Sequence, residues 1–190
     1  MKHRIGKAIA VAALMCSLAT SVYAAMPQGW YKYGSMPNDF DAGSTPGNRH
    51  AGDKNGFIRS KHDSTGFATL MQTVNAQAYH GKRLRLSGWL KTNDANKAAL
   101  WMRIDGSDKK IVGFDNMDDR PVTGTVDWKR YDVVLDVPMD AVDIAFGFLL
   151  NGKGEVLADD LKLEEVAKDV PLTSHENHLP DAPVNLDFSL

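Results

Sequence analysis

Residues 128–166 constrain this chain more than any other segment. They read Trp-Lys-Arg-Tyr-Asp-Val-Val-Leu-Asp-Val-Pro, then, from Ile144, Ile-Ala-Phe-Gly-Phe-Leu-Leu-Asn-Gly-Lys-Gly, then, from Val156, Val-Leu-Ala-Asp-Asp-Leu-Lys-Leu-Glu-Glu-Val. Three runs rich in β-branched, aromatic and aliphatic residues are broken by Pro138, Asn151-Gly152 and Gly154, residues that favour turns. Strands this short and this closely spaced predict an antiparallel sheet folded on itself.

The rest of the chain keeps that rhythm. Trp30-Tyr31-Lys32-Tyr33 is a run of strand formers, and residues 34–56, dense in Gly, Pro, Asn and Asp, predict a long loop. Further strands are predicted at 56–60, 66–74, 83–92, 98–105 and 110–114, with a single helical turn at 76–80. The fold class is all-β: an antiparallel β-sandwich of the jelly-roll type with about eight or nine strands. Alternation assigns the faces. Leu84, Leu86, Gly88 and Leu90 point one way, and Arg83, Arg85, Ser87 and Trp89 the other. Leu100, Met102 and Ile104 look inward and leave Trp101, Arg103 and Asp105 outward, while Tyr131, Val133, Leu135 and Val137 form a third inward set.

The first 24 residues are expected to be a cleaved signal peptide. Lys2, Arg4 and Lys7 precede a small apolar stretch, and Val22-Tyr23-Ala24 supplies the small residues of a cleavage site before Ala25. The apolar stretch is too short for a membrane span, and Met15 is bulkier than the residue a lipidated Cys16 requires before it. The expected product is periplasmic or secreted. It comprises a β-sandwich domain at 25–168 and an extended or partly disordered, Pro-containing tail at 169–190. Cleavage removes the one cysteine, so neither a disulfide nor a thiol nucleophile is expected. It also removes three of the 22 basic residues, leaving 19 against 24 acidic ones and a net charge of about −5. That balance argues against nucleic acid or an anionic membrane surface as partner.

Asp159 shares its parity with Leu157, Leu161 and Leu163, which predicts a carboxylate on a buried face. Burial there demands backbone N–H donors, a cationic side chain or a metal. Satisfaction by loop amides is the simplest account. A structural Ca²⁺ helped by carbonyls of the 43–55 loop is the alternative.

Trp128 and Tyr131, the Leu135-Asp-Val-Pro138 and Ile144-Ala-Phe-Gly147 runs, Leu150-Asn-Gly-Lys-Gly154 and Val156-Leu-Ala-Asp-Asp-Leu161 together resemble the second half of galactose-binding-like jelly rolls. These include carbohydrate-binding modules and domains attached to bacterial regulators and enzymes. The resemblance implies a binding domain. It also implies a calcium ligand at Asp159, the first Asp of the acidic pair, and sugar contacts from aromatic residues on the concave sheet or in edge loops.

A sugar site needs a flat aromatic surface beside planar polar groups. Trp101, Arg103 and Asp105 offer that combination on one strand face, with Trp89 and Arg85 as neighbours. Asp115, Asn116 and Arg120 from the following loop, and Gln72 from the 66–74 strand, complete the candidate set. An outward Trp beside an Arg is equally a stacked surface pair. No Gly-x-Ser-x-Gly elbow, phosphate loop or His-Glu-x-x-His motif is present. His175 and His178 lack a third ligand nearby. The sequence therefore predicts an exported, non-catalytic module that binds a carbohydrate or other small polar ligand and requires no cofactor. The alternatives are an envelope protein-interaction or scaffold domain and, behind it, a hydrolase built on two of the many carboxylates.

Overall fold

The computed structural model describes residues 25–47, 49, 53–174 and 186. The expected signal peptide and the tail residues His175 and His178 lie outside the described residues. Nine strands follow in chain order: β1 (Tyr31–Gly34), β2 (Phe40–Pro46), β3 (Lys54–Ser60), β4 (Phe67–Asn75), β5 (Arg83–Gly106), β6 (Ile111–Asp115), β7 (Val122–Asp136), β8 (Ala141–Asn151) and β9 (Glu155–Val166). A 3₁₀ turn at Gln77–Tyr79 falls inside the expected 76–80 turn. Among the described residues no helix is long and apolar enough to cross a membrane.

Every strand pair is antiparallel, and β5 belongs to both layers of the sandwich. Its first half lies between β7 and β9, with Leu86 opposite both Val133 and Leu163. Its second half lies between β8 and β6, with Met102 opposite Phe146 and Asp115. One sheet is thus β1-β4-β8-β5-β6 and the other β2-β3-β9-β5-β7. The corner between the halves falls at Asp94, whose φ of 47° lies in the left-handed region. Asp94 N–H donates to Thr125 Oγ1 at 3.0 Å, and Asn96 N–H to the Lys153 carbonyl at 2.9 Å. The β8–β9 turn rides so closely over this corner that a Cβ on Gly154 (φ +103°) would lie 2.4 Å from the Asp94 carbonyl oxygen. Only glycine fits there.

Two expectations are corrected. Segments 83–92 and 98–105 are one bent strand, because contacts from Thr125 and Lys153 hold the polar Asn93–Asn96 stretch extended. The long loop at 34–56 contains β2, which pairs with β3 from Phe40↔Ser60 to Pro46↔Lys54. It is an edge strand, where Gly and Pro are tolerated, and burial of Phe40 against the core outweighs the turn-like composition that follows it.

The inward faces agree with the alternation. Leu84, Leu86, Leu90, Leu100, Met102 and Ile104 are fully buried and join Phe40, Ile58, Ile144 and Phe148 in one core between the sheets. At roughly 1.5–3 kcal/mol per large apolar side chain, this core accounts for a fold without disulfides.

The parity in β9 is a further correction. Leu90 faces Ala158 and Leu86 faces Leu163, so two core-facing residues of β9 are five positions apart. The register shift between Ser87 and Trp89 and the left-handed Asp160 (φ 50°) form a bulge that flips the alternation. Val156 and Ala158 line the core before it, and Leu161 and Leu163 pack there after it. Asp159 sits instead on the outer face, opposite Trp89.

Candidate functional site

The outer face of the β1-β4-β8-β5-β6 sheet carries a groove of about 960 Å³. The strand register sorts its floor into three rows across the sheet. Tyr31, Met71, Gly147 and Trp101 make the first. Thr73, Ala145, Arg103 and Phe114 make the second. Asn75, Asp143, Asp105 and Ile111 make the third. Alternate residues of a strand lie about 7 Å apart, so the aromatic row and the acidic row flank the Arg103 row at that spacing.

Each row has its own chemistry. A Cβ on Gly147 would lie 2.1 Å from the Leu70 carbonyl oxygen, so only glycine lets β8 sit this close to β4. The Trp101 ring lines the groove but is only 7% exposed. Its Nε1 donates to Thr69 Oγ1 at 2.7 Å, and Thr69 donates to the Phe148 carbonyl at 2.9 Å. Tyr31 and Tyr33 stand at the β1 wall, 43% and 64% exposed, and the Tyr31 hydroxyl lies 2.6 Å from Thr73 Oγ1. Arg103 Nε and Nη2 donate to Asp105 Oδ2 at 3.0 and 2.8 Å. Lys97 pairs with Asp118 across the far wall, beside Asn116. Burial first, and then the adjacent Asp105, raise the Asp143 carboxyl above its ordinary pKa, with Arg103 opposing.

Four of the eight candidate ligand residues, Trp101, Arg103, Asp105 and Asn116, therefore line one groove. The other four do not. Trp89 has the same outward parity on β5 but belongs to its first half, so it faces outward from the other sheet. Gln72 shares the inner face with Phe146 and Met102. Asp115, opposite Met102, is buried and accepts from Arg120 Nη2 at 2.6 Å, Met117 N–H at 2.8 Å and Thr173 Oγ1 at 2.6 Å. It and Arg120 clamp the chain after β9 against β7, where Val134 N–H donates to Thr173 Oγ1 at 2.7 Å. Sequence reasoning missed Tyr31, Tyr33 and Asp143. The alternation in Trp30-Tyr31-Lys32-Tyr33 puts both tyrosines on one face, but nothing local says which sheet β1 joins.

Asp159 finds a cation and a backbone donor. Arg49 Nη1 donates to Asp159 Oδ2 at 3.3 Å and Asp160 Oδ2 at 2.7 Å, and Asp160 N–H donates to Asp159 Oδ1 at 2.8 Å. The Arg49 guanidinium also lies 4.5 Å from the centroid of the Trp89 ring. Calcium wants about six to eight oxygen ligands. Arg49 stands between the two carboxylates, and among the described residues no group of three or more His, Cys, Asp or Glu is placed to hold a metal; residues 48 and 50–52 of the 43–55 loop, whose carbonyls the calcium reading names, lie outside the described residues.

No protein-family model matches the chain. It is 44% identical over 166 residues to the uncharacterized HTH-type transcriptional regulator YbfP of Bacillus subtilis (strain 168). The match covers 85% of this chain and 56% of that protein, so the chain spans little more than half the length of the curated relative. Among solved structures, the enzymatically active domain of tailspike protein 4 of Bacteriophage CBA120 superposes with a TM-score of 0.58 at 12% identity, over 73% of this chain and 20% of that one. The CBM22-1 xylan-binding domain of Paenibacillus barcinonensis Xyn10C gives 0.52 at 10% identity, over 76% and 90%. The C-terminal family 22 carbohydrate binding module of Clostridium thermocellum Xyn10B gives 0.53 at 12%, over 73% and 86%. The fold is a jelly-roll β-sandwich of the kind these carbohydrate-binding modules have.

Proposed function

We propose that this jelly roll is a non-catalytic module that holds a carbohydrate chain in the groove on its β1-β4-β8-β5-β6 face. The observation that carries this reading is the convergence of exposed aromatic rings and prepaired polar groups on one concave surface. Tyr31 and Tyr33 offer ring faces to sugar C–H groups, and Arg103 and Asp105 present a fixed donor–acceptor pair for hydroxyls. Five strands at about 4.8 Å spacing span about 19 Å, room for several sugar rings laid across the strands. The groove runs over the face of the sheet instead of ending in a deep cleft, which suits holding an internal stretch of chain.

Export fits this role, with the signal peptide cleaved before Ala25. N-terminal sequencing of the protein recovered from periplasm and medium tests it. The 44% identity to a protein named as a transcriptional regulator favours a sensing use of the same groove, with ligand occupancy reported to a partner. The functional test is calorimetric titration of residues 25–190 with a panel of oligosaccharides, repeated with Tyr33→Ala. Binding that is lost in the variant supports the reading. Absence of binding across the panel, or binding indifferent to Tyr33, overturns it.

A further inference from the structure

The charged groups of the groove that remain unengaged are cationic. Arg103 donates from Nε and Nη2 to Asp105, and both bonds, at 3.0 and 2.8 Å, converge on the single oxygen Oδ2. A guanidinium carries five N–H donors in a planar fork. Asp105 takes its side, and the end of the fork, Nη1 with the outer N–H of Nη2, is left open among the described residues. Lys109 lines the same groove and pairs with no carboxylate among the described residues, whereas Lys97 on the far wall is held by Asp118. The turn that carries Lys109 is closed by Gly106 N–H to the Lys110 carbonyl at 2.8 Å and by Lys109 N–H to the Gly106 carbonyl at 3.1 Å. It holds Lys109 at a φ of 57°, a left-handed conformation that Gly and Asn adopt more readily. Asp143, opposite Asp105, does not offset both cations. It hydrogen-bonds Asp105, and two carboxyl groups make that bond only by sharing a proton. Burial first, and then this neighbour, raise the Asp143 pKa accordingly.

We infer that the open fork of Arg103, with Lys109 beyond it, is the subsite for a carboxylate, so that the groove takes an acidic glycan built with uronic acids. The inference rests on reading the groove as a carbohydrate site and names the class of sugar. A carboxylate matches the end of a guanidinium through two parallel N–H···O bonds, a geometry that a lone hydroxyl cannot reproduce. Asp105 already fixes the guanidinium from the side, so less side-chain freedom is lost on binding. The Tyr31 row lies about 7 Å from the Arg103 row, so a sugar ring stacked on the tyrosine can extend its carboxylate to the fork. The turn with Lys109 begins at Gly106, about 10 Å along the strand from Arg103, a gap that the long lysine side chain narrows. The attraction is local. The chain from Ala25 onward carries a net charge of about −5, which repels an acidic glycan elsewhere on the molecule.

The test uses the protein from Ala25 onward at pH 6 and low salt. It is titrated with galacturonate, glucuronate and mannuronate oligomers of four to six units (about the span of the groove), with the methyl esters of the same oligomers, and with neutral oligosaccharides. The esters keep the ring and lose the charge. At least one acid oligomer is expected to bind tenfold or more tightly than its own ester, a preference that shrinks as salt is added. Lys109→Asn removes the cation and suits the left-handed backbone, so the melting temperature should be unchanged or higher while the preference falls at least threefold. Arg103→Lys keeps a positive charge beside Asp105 but loses the fork, and the preference should disappear. The comparison of acid with ester decides the matter in the wild-type protein even if a variant folds poorly. Esters or neutral oligomers that bind as tightly as the acids overturn the acidic-glycan inference and leave the groove reading standing. A preference that survives both substitutions also overturns the inference. Failure of every oligomer to bind overturns both readings.

Discussion

The indole Nε1 of Trp101 donates to Thr69 Oγ1 at 2.7 Å across the intervening strand β8. The hydroxyl that accepts it donates onward to the Phe148 carbonyl, so the ring at the groove floor is fixed in place before any ligand arrives. Thr69→Val keeps the shape and removes the acceptor, which strands a buried N–H. The expected cost is about 1–3 kcal/mol, read as a lower urea midpoint with an unchanged slope. An unchanged midpoint would show that the hydroxyl plays no such role.

Tyr33 is the most exposed aromatic of the groove wall. Tyr33→Ala should leave stability within about 0.5 kcal/mol and weaken glycan binding by about tenfold, or 1.4 kcal/mol. Trp89→Ala, on the outer face of the other sheet, should leave the same affinity untouched. Titrations of the two variants side by side separate the groove from the far surface.

Arg49→Ala leaves the buried Asp159 without its cation. The expected loss is about 3 kcal/mol, the lower end for a broken buried pair. Adding Asp159→Asn should recover much of it, and a double-mutant cycle in denaturant measures the coupling. EDTA and calcium should leave the melting temperature of the wild-type protein unmoved.

Asp136 takes two hydrogen bonds from Arg83, at 2.9 and 2.8 Å, and one from Lys168 at 2.8 Å. These contacts, Arg83 foremost, lower its pKa from 3.8 to about 2 against the opposing effect of burial. A carboxyl with a depressed folded-state pKa stabilises the fold above the unfolded value and ceases to as the pH falls through the folded one. Stability from this site should therefore be intact at neutral pH and drain away between about 4 and 2. Asp136→Asn should be less stable at neutral pH and show a shallower acid dependence over that window in thermal melts.

Much of the fold was legible because period-two alternation is a local property. Leu84, Leu86 and Leu90, and then Leu100, Met102 and Ile104, are buried as their spacing implies. What escaped depended on distant partners. Asn93-Asp94-Ala95-Asn96 reads as a turn, and only Thr125 and Lys153 make it the corner of a continuous strand. That corner explains why Trp89 and Trp101, of equal parity on one strand, look out from opposite sides of the molecule. The bulge at Asp160 likewise defeats any parity argument that runs through it, which is why Asp159 is buried by Arg49 on the outer face and not among the core leucines. Arg103 and Asp105 could be read as a pair from their spacing. Asp143 could not, since its place in the groove comes from the register of β8 against β5.

Because β5 is woven through both layers, the molecule has no seam along which its sheets can part. A ligand pressed into the groove bears on residues 101–105, and the same backbone continues into the far layer between β7 and β9. Occupancy of one face should accordingly slow amide hydrogen exchange on the other, in strands that the ligand never touches.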